Sequence, residues 1–106
     1  IYMDDIFKQL ELILEQRKGA SADSSYVASL YNKGTDEILK KIGEESAEVI
    51  MATKDGVNDK IIYEVADLWF HTLVLLRHKD IEVDKIEQEL SRRFGLSGLE
   101  EKANRN

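Results

Sequence analysis

Between Ile61 and Leu76 the chain reads IIYEVADLWFHTLVLL. No Gly or Pro interrupts this run, and it is too long for an ordinary strand, so it predicts a helix. On a wheel of ~100° per residue, Glu64, Asp67 and His71 fall within ~60° of one another. The other sides carry Ile62, Val65, Leu68, Trp69, Phe70, Leu73, Val74 and Leu76. A helix apolar nearly all round must be covered by neighbours on several sides. Two acids inside such a helix are costly to desolvate unless a basic partner, a proton or a metal ion offsets the charge.

The metal alternative requires further carboxylates at helical spacing. The preceding helical pattern supplies them in Lys41-Ile42-Gly43-Glu44-Glu45-Ser46-Ala47-Glu48. Glu45-x-x-Glu48 and Glu64-x-x-Asp67 each place two acids one turn apart on one face. A short connection, Asp55 to Asn58, makes the two helices antiparallel neighbours. Four carboxylates then converge, and hard divalent cations such as Mg²⁺ or Mn²⁺ relieve their repulsion because they favour oxygen ligands. The competing readings are a solvated acidic surface and a buried salt bridge to Lys41 or Arg77. A di-iron carboxylate bundle would want Glu-x-x-His pairs, which do not occur. His71, one turn beyond Asp67, reads as a structural residue or one that supports a ligand from behind. Lys41 either touches a phosphate or pairs with Glu45 at i+4. Lys54, Lys60, Arg77, Arg92 and Arg93 are weaker phosphate candidates.

A chain of 106 residues fits one domain with a modest core. The absence of Pro and the abundance of Glu, Lys and Leu favour an all-α fold of about five helices. With so apolar a helix, a small domain of this kind calls for a partner chain to complete the bundle. The net charge of −6 and the lack of a basic stripe argue against a nucleic-acid partner. An acidic protein that handles an anionic substrate needs metal ions to reverse the local field. No cysteine is present, which excludes disulfides and thiolate zinc sites and fits a cytoplasmic chain. The apolar run is shorter than a membrane span and contains two acids, so no membrane partner is expected. No secretory signal pattern opens the chain.

Taken in order, Ile6, Phe7, Leu10, Ile13 and Leu14 give amphipathic spacing over Met3 to Arg17. Gly19 suits a left-handed cap after it. A short helix follows from about Ser25 to Lys33, with Ser24 or Asp23 as cap and Tyr26, Val27, Leu30 and Tyr31 toward the core. Thr35 is placed to cap a helix running to about Lys54, with Ile38, Leu39, Ile42, Val49 and Ile50 on its apolar arc. Asn58 is placed to cap the next helix, Asp59 to about His78. A last helix spans about Val83 to Phe94, so residues 1–95 form the domain. Residues 96–106 form a short polar tail, expected to be mobile.

The segments Lys-Ile-Gly-Glu-Glu-Ser-Ala-Glu at 41–48 and Tyr-Glu-Val-Ala-Asp-Leu-Trp-Phe-His at 63–71 resemble those of the phosphoribosyl-ATP pyrophosphatases. These belong to the all-α NTP pyrophosphohydrolases, the MazG-like group, whose motif is Glu-Glu-x-x-Glu followed by Glu-x-x-Asp. Ser25-Tyr26 resembles a stretch that these enzymes carry upstream of the first acids. The likeness spans roughly Phe7 to Gly95. It implies hydrolysis of phosphoribosyl-ATP to phosphoribosyl-AMP and pyrophosphate, the second step of histidine biosynthesis. It also implies Mg²⁺ dependence and a homodimer packed as a bundle. In some organisms this domain is fused to a cyclohydrolase with cysteine-bound zinc; the resemblance here is to the stand-alone form. On that reading Glu45, Glu48, Glu64 and Asp67 hold the metal. Glu44 orients or deprotonates the attacking water, and Lys41, Lys54 and Lys60 are candidates for the substrate phosphates. A house-cleaning enzyme of the same superfamily, acting on other nucleoside triphosphates, is the nearest rival. A non-enzymatic helical interaction module is the rival of a different class.

Overall fold

The computed structural model of the chain describes residues 3–95, so the tail at 96–106 lies outside the described residues. Five α-helices and no strand occur among them: α1 Met3–Gln16, α2 Tyr26–Lys33, α3 Thr35–Asp55, α4 Asn58–His78 and α5 Val83–Phe94. The all-α expectation therefore holds, with boundaries within a residue or two of those read from periodicity.

The most extensive pairing joins α3 and α4 as an antiparallel hairpin. Its turn is only Gly56-Val57. Gly56 adopts φ 75°, and its N–H reaches the carbonyls of Ala52 and Thr53, both at 3.1 Å. This left-handed residue closes the last turn of α3 at a backbone angle that a Cβ would strain. So short a turn fixes which residues face each other along the hairpin.

The core lies at the end of the hairpin away from that turn. Leu14 of α1, Val27 and Leu30 of α2, Ile38 of α3, Leu73 and Val74 of α4, and Val83 of α5 form one buried cluster. Packing at this end has a charged clamp beside it. Arg77 meets Glu15 at 2.9 Å and Glu11 at 3.6 Å, and Glu11 also accepts the backbone N–H of Val83 at 2.8 Å. One carboxylate thus satisfies the open amide end of α5 while holding α1 against α4.

Several local assignments read from sequence are corrected. Gly19 is not left-handed: α1 tightens into a 3-10 turn, Arg17–Gly19, and Ala20 follows in extended conformation. The cap of α2 is Ser25, not Ser24 or Asp23; its hydroxyl accepts from the Ala28 N–H at 3.1 Å. Thr35 and Asn58 are the first helical residues of α3 and α4 rather than their caps. The Thr35 hydroxyl instead meets His78 Nε2 at 3.1 Å. Of the α2 residues assigned to the core, Val27 and Leu30 are buried, but Tyr26 is half exposed. On α3, Leu39 and Ile50 are exposed as well.

Candidate metal centre

Moving from the core toward the hairpin turn, the interior face changes from apolar to acidic. Glu45 on α3 and Asp67 on α4 stand roughly level with each other across the hairpin, as the tight turn dictates. One oxygen from each and one nitrogen of His71 lie within 4.8 Å of one another. Glu45 is 7% exposed and His71 is 3% exposed, while Asp67 is half-buried and opens the cluster to solvent on one side.

Both nitrogens of His71 are engaged. Nδ1 is 2.8 Å from the backbone carbonyl of Asp67 and 3.5 Å from its Oδ1. Nε2 is 2.8 Å from the Tyr26 hydroxyl. Tyr26 and Phe70 meet the imidazole nearly edge-on, at 5.8 and 5.2 Å between ring centres.

Burial is the main force on the Glu45 carboxyl, and the Asp67 carboxylate beside it acts in the same direction. Together they push its pKa up to about 7, with Glu64 adding to the rise and Lys41 opposing it. Below about pH 7, then, a proton offsets the buried charge in the metal-free protein. A cation entering the cluster must displace that proton.

The remaining acids are less tightly drawn in. Glu64 is half-buried and close enough to raise the Glu45 pKa, while Glu48 is exposed. Neither belongs to the tight group, which unites two of the four expected carboxylates with the histidine. Lys41 lies 3.5 Å from Glu44 and 3.7 Å from Glu45, the i+4 pairing that its spacing allowed. Glu44 is exposed at the rim. Lys54 is exposed in the last turn of α3, and Lys60 meets Asp55 at 3.7 Å in solvent. Arg77 is held by the α1 acids, and Arg92 and Arg93 both bind Glu89. The residue that periodicity misplaced is Tyr26. Its hydroxyl enters the cluster although its position on α2 reads as an ordinary core site; the signal for it was the Ser-Tyr stretch in the family resemblance.

Proton displacement has a measurable consequence. An upward-shifted carboxyl contributes stability at pH below about 4.5, its ordinary value, and loses it as pH rises through about 7. The Glu45 contribution to the metal-free protein therefore falls across that window. A divalent cation entering the cluster would compete better as the proton leaves, up to about tenfold in apparent affinity per pH unit. The expected result is a Mg²⁺-induced rise in Tm that is small at pH 5.5 and large at pH 8. Thermal melts with Mg²⁺ and with EDTA check this; a pH-independent difference would contradict it.

A helical hairpin with a buried acid facing a second, half-buried one on its interior fits the all-α pyrophosphohydrolase class, hydrolases of phosphoanhydrides. The family profile described as phosphoribosyl-ATP pyrophosphohydrolase matches residues 7–94. The phosphoribosyl-ATP pyrophosphatase of Vesicomyosocius okutanii is 81% identical over 98% of this chain and 99% of the relative. That of Ruthia magnifica is 78% identical over the same shares. That of Hydrogenovibrio crunogenus is 58% identical over 97% of this chain and 95% of the relative. The chain belongs to the phosphoribosyl-ATP pyrophosphohydrolase family.

Proposed function

We infer that the chain hydrolyses phosphoribosyl-ATP to phosphoribosyl-AMP and pyrophosphate, the second step of histidine biosynthesis, as a Mg²⁺-dependent cytoplasmic enzyme. The family membership supports the substrate. The observation that carries the chemistry is a buried glutamate, Glu45, facing Asp67 across the hairpin with its carboxyl pushed toward neutrality. Oxygen donors without thiolates fit a hard divalent cation, Mg²⁺ or equally Mn²⁺. No described helix is long and apolar enough to cross a membrane.

Glu45 and Asp67 are the inner ligands of this centre, with Glu64 and Glu48 completing it toward the hairpin turn. An ion held there would supply Lewis acidity toward phosphate oxygens and offset charge on the pyrophosphate leaving group. Lys41, 3.7 Å from Glu45 beside the cluster, is the candidate to meet a substrate phosphate. Lys54 and Lys60, exposed near the hairpin turn, are the outer phosphate contacts. Glu44 at the rim orients the attacking water and takes its proton on a carboxylate oxygen. Water forms the new P–O bond, a bridging P–O bond breaks, and pyrophosphate leaves.

Pyrophosphate release from phosphoribosyl-ATP, dUTP and dCTP, with Mg²⁺ and with EDTA, tests the assignment. Turnover of phosphoribosyl-ATP that chelation abolishes is expected; faster turnover of dUTP or dCTP would transfer the chain to the house-cleaning branch.

The same reading includes a homodimer. Ile50 and Met51 of α3 and Ile62 and Tyr63 of α4 stand at similar heights near the hairpin turn, and all are more than half exposed. The radius of gyration is 16.6 Å, against ~13 Å for a compact chain of about this length. A second copy would cover the apolar side of α4 that this protomer leaves bare. Sedimentation equilibrium at micromolar concentration should return twice the chain mass; a monomer would remove this part of the reading.

A further inference from the structure

We propose that Tyr26 is a positioning residue for the acidic cluster: its hydroxyl anchors Nε2 of His71 and so keeps the ring's Nδ1–H turned onto Asp67, leaving the imidazole unable to serve as a metal ligand. The argument starts from donor and acceptor identity. The Asp67 backbone carbonyl can only accept, so the His71 nitrogen 2.8 Å away must carry hydrogen. In the neutral ring Nε2 then holds the lone pair, and the hydroxyl 2.8 Å from it donates. Burial of the Tyr26 hydroxyl end raises its pKa, which keeps that donor protonated.

Neither nitrogen has a lone pair left for a cation. Distance alone would group Glu45, Asp67 and His71 as three ligands. Hydrogen-bond polarity reduces that group to two carboxylates with an imidazole braced behind one of them. The Nδ1–H also lies 3.5 Å from Asp67 Oδ1, so the ring restrains both the backbone and the carboxylate of that residue. A histidine bound this way supports a ligand from behind it.

Local structure explains why Tyr26 reaches the site. Ser25, 7% exposed, caps α2 through the Ala28 N–H and so fixes the direction in which the first helical residue projects. Ser29 donates to the Tyr26 carbonyl at 2.7 Å, which steadies the same turn. Without the tyrosine hydroxyl, Nε2 of a nearly fully buried ring would lack a partner. A proton on Nε2 would leave the Nδ1 lone pair against the Asp67 carbonyl, so the ring would gain instead by turning, which withdraws the donor from Asp67.

A second tyrosine provides the control. Tyr31 stacks on His78, with ring centres 6.0 Å apart, but donates its hydroxyl to the Leu14 carbonyl at 2.9 Å. Tyr31→Phe therefore removes one α2 hydrogen bond, as Tyr26→Phe does, without touching the cluster.

The catalytic consequence rests on the function inferred above, but the tautomer does not. Nitrogen-15 NMR of the histidines in metal-free wild-type protein at pH 8 should show His71 as a single neutral Nδ1–H tautomer. A neutral Nε2–H ring or an imidazolium there would overturn the proposal without any variant. In Tyr26→Phe the His71 nitrogen signals should shift and broaden as the ring turns, and Mn²⁺ affinity by calorimetry should fall about tenfold. Tyr31→Phe should leave both readings at wild-type values. Unchanged His71 signals and Mn²⁺ affinity in Tyr26→Phe, or an equal loss in both variants, would overturn it. If the tautomer is as expected but phosphoribosyl-ATP is not hydrolysed by wild-type protein, the functional reading fails and the positioning role stands.

Discussion

Replacing Glu45 by glutamine is expected to abolish turnover and at the same time stabilise the metal-free protein. Residues that merely brace a metal ligand cost about 10–100-fold when removed, so loss of a ligand itself should lower kcat/KM by at least about 100-fold. The stability effect has the opposite sign. Wild-type Glu45 ionises at about 7 in the folded chain. Above that pH the metal-free fold carries a buried carboxylate next to Asp67. Glutamine keeps the shape and removes the charge. Each tenfold change in proton affinity is worth about 1.4 kcal/mol, so a gain on the order of 2 kcal/mol is expected at pH 8. At pH 5 wild-type Glu45 is already neutral, and the two proteins should melt together. Pyrophosphate release in Mg²⁺ and thermal melts in EDTA at both pH values check both halves. Wild-type turnover in the variant would remove Glu45 from the site.

The second large effect is expected at the end of the hairpin away from its turn. Ile38 is fully buried in a core cluster to which all five helices contribute. Ile38→Ala removes apolar contact and leaves a cavity that helices on several sides cannot all close, at a cost of about 2–5 kcal/mol. The total stability of a small domain is about 5–15 kcal/mol, so this is a large share of it. Urea unfolding should show a lower midpoint with an unchanged slope. A loss below about 1 kcal/mol would mean that the apolar cluster is not the main support of the fold.

These two expectations concern the middle and the open end of one hairpin, and they were legible in the sequence to different degrees. The helix over 61–76 and the acids at 45, 64 and 67 followed from periodicity alone, because helical spacing determines which residues share a face. The hairpin followed from the few residues between Asp55 and Asn58, which leave no room for any other connection. Caps were less readable. Ser25 was selected over Ser24 by which hydroxyl could reach the Ala28 N–H, a matter of one residue that spacing does not resolve. Thr35 has the composition of a cap, yet its hydroxyl found His78 instead. Local preference yielded to a tertiary hydrogen bond.

Sequence by itself determined the fold class, the order of the helices and the family, since each rests on repeats and motifs carried along the chain. Tertiary structure decided how the acids are shared out: Glu45 buried against Asp67, Glu64 half-covered, Glu48 in solvent. It also brought Tyr26 onto His71 and tied Glu11 to both Arg77 and the start of α5. The physical reason is that desolvation and hydrogen-bond polarity depend on what surrounds a group in space. Residues far apart in the chain, such as Tyr26 and His71, acquire their chemistry only when packing brings them together.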